Sequence, residues 1–381
     1  MAETRSATLE RVSRWYQGLA IFVLNTLLLL LLVEGISSVL LPLTQSYFSP
    51  PDPRSQLTYY AQQDWGKTYW QEFASVSRQL YEPYLIWRRG PFKGTTITIT
   101  DAGLRQTPGT TCTEAAYTVF AFGGSTMWGT GSPDANTIPA YLQADLAPKL
   151  EQPVCVINFG ELAYVSTQSL IRLERQLQAG QVPDLVIFYD GINDVYAAYQ
   201  SGQAGVHQNL SDIRAVFEHR ESPSVQWLRS TNTFRLLNRV VNQIQQEQPI
   251  GPTYKTKGVE ATPLAHNIAQ RYAQNIQMVD ALAQEYGFPT LFFWQPVIAI
   301  GSKPLTDNEA ALVTGMDPDL VTLFELTYAE VSQMATNQPD LYDISTLFDQ
   351  ETAELWIDEW HVTPVGNELI AQSMLAVIET P

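Results

Sequence analysis

The sequence is poor in cysteine and in positive charge. Its 381 residues include two cysteines, and 22 lysines and arginines stand against 39 aspartates and glutamates, for a net charge of -17. Two cysteines are too few for a disulfide scaffold, and their spacing matches no zinc pattern. Nucleic-acid binding depends largely on neutralising phosphates, so the acidic balance excludes that class of partner. No histidine-rich or cysteine-rich ligand set is evident, and we expect neither a metal nor another cofactor.

Repeats and low-complexity tracts are also lacking, and the amino-acid composition is typical of a folded protein. Hydrophobic residues make up 45% of the chain and charged residues 16%, which disfavours disorder. Cys112 and Cys155 fall just before or within predicted strands. If those strands are parallel neighbours, one disulfide is geometrically possible in an oxidising compartment, and two buried free thiols are the alternative.

A long apolar run lies near the amino terminus. Residues 19–41 are long enough to span a bilayer, although Asn25, Thr26 and Glu34 interrupt the run. Arginines precede it, so the positive-inside rule predicts a cytoplasmic segment over residues 1–17, a transmembrane anchor over 18–41 and an extracytoplasmic remainder. A cleaved signal peptide is the alternative, disfavoured because no small-x-small cleavage site is evident.

Residues 42–116 are predicted to form a small juxtamembrane collar. They open with several prolines, typical of a stiff and extended exit from the membrane. Aromatic residues then cluster between Tyr59 and Phe73, where packing onto the following domain is favoured over an interfacial aromatic belt. Alternating threonine and isoleucine over residues 95–100 predicts a half-buried strand.

Strand and helix patterns alternate from residue 117 to the carboxyl terminus. This alternation predicts an α/β fold with a parallel sheet covered by helices on both faces. Residues 199–263 interrupt the rhythm and are predicted to be an insertion that roofs the carboxyl edge of the sheet. The strands are predicted, from short apolar runs, at residues 117–122, 154–159, 185–189, 290–294 and 341–344.

Chemically useful residues follow the first three strands and precede the last helix. Ser125 comes after Gly123-Gly124, Gly160 follows the second strand, Asn193 follows the third, and Asp358-Glu359-Trp360-His361 precedes the final helix. The carboxyl ends of parallel strands share one rim of a sheet, so these stretches are expected to converge there. Taken singly, each residue has an ordinary alternative as a helix cap, turn or surface residue.

A serine needs an adjacent base to become a useful nucleophile, and histidine is the side chain best suited to that exchange. His207 and His219 lie in the insertion and His266 begins a predicted helix, which leaves His361 on a loop that can reach the rim. Asp358 is predicted to hold the imidazole, with Glu359 as the less favoured alternative. The N–H groups of Ser125 and Gly160 and the side chain of Asn193 would form the oxyanion hole.

These four stretches resemble blocks I, II, III and V of the SGNH, or GDSL-like, hydrolase superfamily. Ser125, Gly160, Asn193 and His361 match its four name-giving residues in order, and Asp358 to His361 matches its Asp-x-x-His signature. Gly-Gly-Ser replaces the usual Gly-Asp-Ser of block I. The resemblance covers residues 117–381 and implies a flavodoxin-like, three-layer α/β/α fold of strand order 2-1-3-4-5, acting on ester-linked acyl groups. The anchor and the collar lie outside it.

We therefore expect a membrane-anchored serine esterase or deacylase acting on an acyl ester, such as an O-acetyl ester, of a small molecule or saccharide. One alternative is acyl transfer to a surface polysaccharide through the same acyl-enzyme. Another is a catalytically silent carbohydrate-binding or assembly protein on this fold. Nucleotide binding is not supported, because Thr130 stands where a phosphate loop has its lysine. Aromatic and apolar residues flank the site and could line a pocket, namely Met127, Trp128, Tyr164, Tyr196, Trp294 and Trp360.

Overall fold

The computed structural model describes residues 2–43, 51–76, 79–109, 112–113, 115–218, 222–244, 251 and 253–378. The chain divides into two compact units. The larger comprises Pro51–Arg214 and Ile250–Pro381, and the smaller comprises Met1–Pro50 and Ala215–Pro249. The predicted insertion over residues 199–263 is thereby divided, because its middle groups with the amino-terminal helix and its two ends group with the sheet.

The strands of the larger unit form two short antiparallel pairs and one parallel sheet. The pairs are β1 (Gln79–Glu82) with β2 (Ile86–Arg89), and β3 (Phe92–Lys93) with β4 (Thr98–Ile99). The sheet contains β5 (Tyr117–Gly123), β6 (Val154–Asn158), β7 (Leu185–Asp190), β8 (Thr290–Trp294) and β9 (Leu341–Asp343). Its order is β6-β5-β7-β8-β9 with every pair parallel. This is the 2-1-3-4-5 order that the resemblance implied, so the predicted fold is confirmed.

Helices flank this sheet in two packed groups. Ile138–Leu150 contacts the final helix, Pro364–Val377, and Ala261–Tyr286 contacts both Ser166–Gln178 and Pro318–Ala335. Such flanking buries the central strands on both faces, which explains why they read as continuous apolar runs. The other helices of this unit are Pro53–Gln56, Thr58–Ala61, Gly66–Ser75, Ser125–Trp128, Asp134–Asn136, Ile192–Ser201 and Asp307–Gly315, and Leu210–Glu218 crosses the boundary between the units.

A row of phenylalanines runs across the sheet. Phe122 stacks on Phe159 and on Phe188, with ring centroids 4.9 and 5.1 Å apart, and Phe188 stacks on Phe292 at 5.2 Å. Three of these rings come from adjacent strands at matched register positions. Aromatic burial of this extent fixes the strand register, because a shift of one residue would turn every ring to the other face.

The collar packs into the larger unit. Tyr60, Tyr69 and Trp70 are buried in one apolar cluster with Trp128, which lies just after Ser125. Tyr60 Oη donates to the Gly131 carbonyl at 2.7 Å. The aromatic cluster therefore packs on the following domain, which is the arrangement that the sequence favoured over an interfacial belt. The strand predicted over residues 95–100 is shorter than expected, because only residues 98–99 form β4.

A disulfide joins Cys112 to Cys155, with their Cα atoms 5.0 Å apart. Cys155 lies on β6, which pairs with β5. The bond therefore ties the segment that enters β5 to the neighbouring edge strand. The sequence left open either a disulfide or two buried free thiols, and the structure contains the disulfide.

The smaller unit is built from helices. Ala2–Leu43 is one continuous helix, and Pro223–Ser230 and Asn232–Ile244 belong to the same unit. Residues Ser13–Leu43 are long and apolar enough to cross a membrane, a property shared by membrane anchors and signal sequences. Apart from buried Leu41, their large apolar side chains are mostly exposed in the structure, as lipid-facing side chains would be.

Candidate active site

Ser125 begins the short helix that follows β5. Its Oγ lies 2.7 Å from Nε2 of His361, which is 236 residues further along the chain. Gly124 precedes Ser125 and leaves room for a neighbouring side chain, because a Cβ at that position would lie 2.1 Å from Nδ2 of Asn193. Gly124 stands where the usual block I motif has aspartate. The space that a side chain would take at this position is occupied by the amide of Asn193.

His361 lies on the loop between β9 and the final helix. Its Nδ1 is 2.7 and 2.9 Å from the two carboxylate oxygens of Asp358. A bridge between Trp356 and Val362 closes the loop at its base. Buried Glu309 fixes that base further, since its Oε1 accepts from the N–H groups of Leu355 and Trp356 at 2.9 and 3.2 Å. The loop is therefore held by backbone pairing and by a buried carboxylate.

Asp358 is held as a carboxylate. Burial acts to raise its pKa, but the charge and hydrogen bond of His361, the charge of Arg54 and the Trp360 N–H together hold that pKa well below its ordinary value. Arg54 Nη1 donates to Asp358 Oδ2 at 2.7 Å. The Ser125–His361–Asp358 arrangement allows the imidazole to exchange a proton with the serine while the carboxylate holds the other ring nitrogen.

The two remaining predicted donors differ in their availability. Asn193 Nδ2 donates to the Tyr164 carbonyl at 2.8 Å, which uses one of its two hydrogens. Gly160 N–H donates to Asn158 Oδ1 at 2.9 Å. A Cβ on Gly160 would lie 2.5 Å from the Trp128 nitrogen, so the residue must be small there. The structure therefore brings Asn193 to Ser125, whereas the N–H of Gly160 is already bonded.

A cavity of about 350 Å³ opens at Ser125. Its lining includes Arg54 and Arg89 from the collar, and Asn193, Tyr196, Gln208 and Trp360. Two of the aromatic residues that flank the site in sequence, Tyr196 and Trp360, therefore line the cavity. The other flanking residues are buried among core side chains, namely Met127, Trp128, Tyr164 and Trp294.

The alternative residues are placed elsewhere. His207 Nδ1 lies 2.8 Å from the Gln208 carbonyl, and His266 pairs with Glu330 at 3.4 Å. His219 lies outside the described residues. Within the described ranges, Asp358 is the carboxylate that bonds the His361 ring, and Glu359 makes no such bond. No group of three or more metal-ligating side chains occurs in the part of the chain that the structure describes.

Three residues that hold parts of this site were not predicted from the sequence, namely Arg54, Glu309 and Gln208. Gln208 Nε2 donates to Asn193 Oδ1 at 2.8 Å and so orients its amide. Arg54 lies in the proline-rich exit from the apolar run, where no periodicity marks it. The one local signal is Asp52, which accepts from Arg54 and begins the short helix Pro53–Gln56. Contacts that span hundreds of residues leave no trace in a local pattern.

The sequence matches one known family. The GDSL-like Lipase/Acylhydrolase family model matches residues 121–324, more than half of the chain. No curated protein sequence gives a significant match.

Several solved structures resemble this chain. The acetyl xylan esterase AlAXEase is 16% identical, with 68% of this chain and 100% of that chain covered and a TM-score of 0.37. A lipolytic protein of the G-D-S-L family from Veillonella parvula is 11% identical, with 68% and 97% covered and a TM-score of 0.37. A mutant of Axe2, an acetyl-xylooligosaccharide esterase from Geobacillus Stearmophilus, is 14% identical, with 70% and 96% covered and a TM-score of 0.38.

Proposed function

Because the chain belongs to the GDSL-like lipase/acylhydrolase family of SGNH hydrolases, we propose that it hydrolyses an acyl ester through an acyl-enzyme on Ser125. The observation that carries this proposal is the 2.7 Å distance between Ser125 Oγ and His361 Nε2. The bond from the other ring nitrogen to Asp358 supports it, because that bond selects the tautomer in which Nε2 accepts a proton.

The reaction follows from this geometry. Ser125 Oγ attacks the acyl carbonyl carbon while His361 takes the serine proton, giving a tetrahedral oxyanion. When the intermediate collapses, the bond to the alcohol breaks and His361 returns the proton to the leaving oxygen. Water then attacks the acyl-enzyme with the same proton transfers and releases the carboxylic acid. Asp358 stays ionised throughout and stabilises the transient imidazolium.

The oxyanion is stabilised by donors at the strand ends. Ser125 N–H and the second amide hydrogen of Asn193 are the principal donors in this proposal. Gly160 N–H joins them when it leaves Asn158 Oδ1, to which it is bonded at 2.9 Å. One such donor is worth roughly 3 kcal/mol of transition-state stabilisation, or about a hundredfold or more in rate.

The substrate class we propose is an acylated saccharide, such as an O-acetyl ester. Tyr196 and Trp360 line the cavity with ring centroids 5.5 Å apart and present apolar surface to a sugar ring. Asn193 and Gln208 supply polar groups on the same cavity. This mixture of aromatic faces and amides matches a ligand that has both apolar and hydroxyl-bearing surfaces.

The amino-terminal helix is proposed to remain as an anchor, with the larger unit outside the cytoplasmic membrane. Glu34, within the apolar run, accepts from the N–H groups of Asn232 and Thr233 at 2.6 and 3.0 Å. This contact supports retention, because cleavage after the run would remove a partner of the later helix. The arginines before the run support a cytoplasmic amino terminus.

The test uses the full chain in detergent with aryl acetates and acetylated xylo-oligosaccharides. Ser125→Ala is expected to lower kcat/KM at least about a thousandfold and to abolish labelling by a fluorophosphonate probe. Ser302→Ala, on an exposed serine bonded to Asp349, is the matched control and should behave as the natural chain. Equal hydrolysis with and without Ser125 would sink the proposal. Acylation of an added sugar acceptor in place of acid release would favour the transferase.

A further inference from the structure

Large apolar side chains are exposed on the helices of the smaller unit that come from the middle of the chain. Trp227 is 70% exposed, Leu228 50% and Leu237 60%. Val216, Phe217, Val225 and Val241 are exposed in the same segment. A soluble protein rarely presents so many large apolar groups over some thirty residues without a partner.

These helices are attached to the apolar helix Ala2–Leu43 through specific hydrogen bonds. Glu34 Oε1 accepts from Asn232 N–H at 2.6 Å, and Oε2 accepts from the N–H and hydroxyl of Thr233 at 3.0 and 2.7 Å. Arg239 Nη1 donates to the Leu41 carbonyl at 2.7 Å. The helix Asn232–Ile244 therefore begins beside Glu34 and continues toward the carboxyl end of the apolar span.

Glu34 sets the depth of this attachment. It lies seven positions before Leu41, which is about 10 Å along a helix at 1.5 Å per residue. A carboxylate that far inside a membrane span needs partners. The first N–H groups of a helix lack intrahelical acceptors and carry the positive end of its dipole, so they suit a buried anion. The start of the helix Asn232–Ile244 is thus placed level with the interior of the span.

We infer that the helices Pro223–Ser230 and Asn232–Ile244 form a second membrane-contacting element, immersed in the bilayer leaflet that surrounds the carboxyl end of the anchor. Pro223–Ser230 has 8 residues and Asn232–Ile244 has 13, too short to cross a bilayer, so the element enters the leaflet without spanning it. Trp227, Leu228 and Leu237 contact lipid. Exposed Arg235 lies on the same helix as Leu237, and its long stem allows the guanidinium to reach the headgroups.

This inference rests on the proposed anchor and is independent of the proposed chemistry. The occupant is lipid because the apolar side chains continue the exposed apolar surface of the span within one compact unit. The guanidinium of Arg239 and the carboxylate of Glu34 are both used within the unit. The exposed positions on its two later helices combine large apolar side chains such as Trp227 and Leu237 with polar ones such as Gln226 and Asn238, a mixture typical of an element that lies in the membrane interface.

The test places one spin label at a time on the full chain in phosphatidylcholine–phosphatidylglycerol vesicles. Among the described residues both native cysteines are in the disulfide, so single engineered cysteines can be labelled. Trp227→Cys and Leu237→Cys report on the element, exposed Leu29→Cys on the span, and exposed Val182→Cys on the larger unit. Collision with oxygen, which partitions into lipid, is compared with collision with a water-soluble nickel complex. A circular-dichroism spectrum that matches that of the unlabelled chain shows that each labelled chain is folded.

Labels at positions 227 and 237 are expected to resemble the label at position 29, with an oxygen-to-nickel ratio several-fold above that at position 182. A ratio equal to that at position 182 would overturn the inference, as would protection from both reagents, which signals a protein partner. If the label at position 29 is itself aqueous, the anchor proposal fails. A lipid-exposed label at 29 with aqueous labels at 227 and 237 rejects the second element alone.

Discussion

Arg54 donates from Nη1 to Asp358 Oδ2 at 2.7 Å, across 304 residues of sequence. The same guanidinium binds Asp52 through Nε and Nη2 at 2.9 and 2.7 Å and lies over the ring of Trp70, 4.5 Å from its centroid. Contacts with two carboxylates and one aromatic ring leave the guanidinium of Arg54 little freedom to move. The collar thereby supplies a fixed positive charge to Asp358, the carboxylate that bonds the His361 ring.

Replacing Arg54 by alanine is expected to lower kcat by about 10- to 100-fold, because outer partners of catalytic groups commonly contribute that much. Asp358 would lose a hydrogen bond that fixes its rotamer, and His361 would be less precisely aimed at Ser125. Arg54→Lys should recover part of the loss, since lysine keeps the charge but not the planar fork. The rate of fluorophosphonate labelling measures the effect on Ser125 directly.

Arg88→Ala is the matched control for this prediction. Arg88 also forms an ion pair, with Glu82 at 3.1 Å, but it does not line the cavity at Ser125. Its loss should leave labelling unchanged within about twofold, because a surface ion pair contributes little. Equal labelling rates for Arg54→Ala and Arg88→Ala would contradict the positioning role of Arg54.

The neighbouring acids of the His361 loop should behave differently. Asp358→Asn is expected to lower kcat by about 10⁴-fold, because an amide that donates to Nδ1 would favour the wrong imidazole tautomer. Glu359→Gln should change kcat by less than about twofold, since the ring nitrogen is bonded to Asp358. Steady-state hydrolysis of an aryl acetate measures both, and a large loss in Glu359→Gln alone would move the orienting role to Glu359.

Patterns along the chain predicted the sheet because burial is recorded locally. The central strands are apolar runs, and the predicted strand over residues 290–294 coincides with β8. The convergence of Ser125 and His361 followed from one geometric rule, that parallel strands share a carboxyl rim. The strand prediction is confirmed because it needed only the type of element and the place where it ends, whereas the catalytic roles of Ser125 and His361 stay a prediction.

Other features depend on tertiary contacts that no local pattern records. The role of Arg54 requires the collar to fold back on a loop 304 residues away. The bond from Gly160 N–H to Asn158 Oδ1 depends on a side-chain rotamer at the end of β6. The division of the insertion over residues 199–263 depends on Glu34, whose place in an apolar run looked only unfavourable until its partners Asn232 and Thr233 were known.

Loss of the disulfide between Cys112 and Cys155 should destabilise the larger unit. The bond closes a loop with a sequence separation of 43, and the chain-entropy relation gives about 4 kcal/mol for a loop of that length. A chain with both Cys112→Ala and Cys155→Ala is therefore expected to unfold at lower denaturant concentration. Added dithiothreitol should destabilise the natural chain and leave the double variant unchanged. Equal unfolding midpoints for the oxidised and reduced natural chain would contradict the prediction.

The buried carboxyl pair behind Asn193 should make stability fall as pH rises. Burial and the charge of Asp194 raise the pKa of Asp190 well above its ordinary value, and burial raises the pKa of Asp194 to about 6. Both oxygens of Asp190 lack a hydrogen-bond partner within the described residues. Above about pH 4 the two carboxyl groups are ionised in the unfolded chain but keep protons in the folded chain. Stability therefore falls as the pH rises through the raised pKa values, because the pair must ionise inside the fold.

Asp190→Asn removes that cost. The variant is expected to match the natural chain near pH 4 and to melt about 2–4 °C higher at pH 8, as for a gain of about 1 kcal/mol in a domain of this size. Asp101→Asn, on an exposed turn, is the control and should show no difference that depends on pH. Thermal unfolding followed by circular dichroism at pH 4, 6 and 8 measures the trend. A variant less stable than the natural chain at pH 8 would show that the Asp190 carboxylate is satisfied by a partner such as ordered water, and that its charge contributes to the fold.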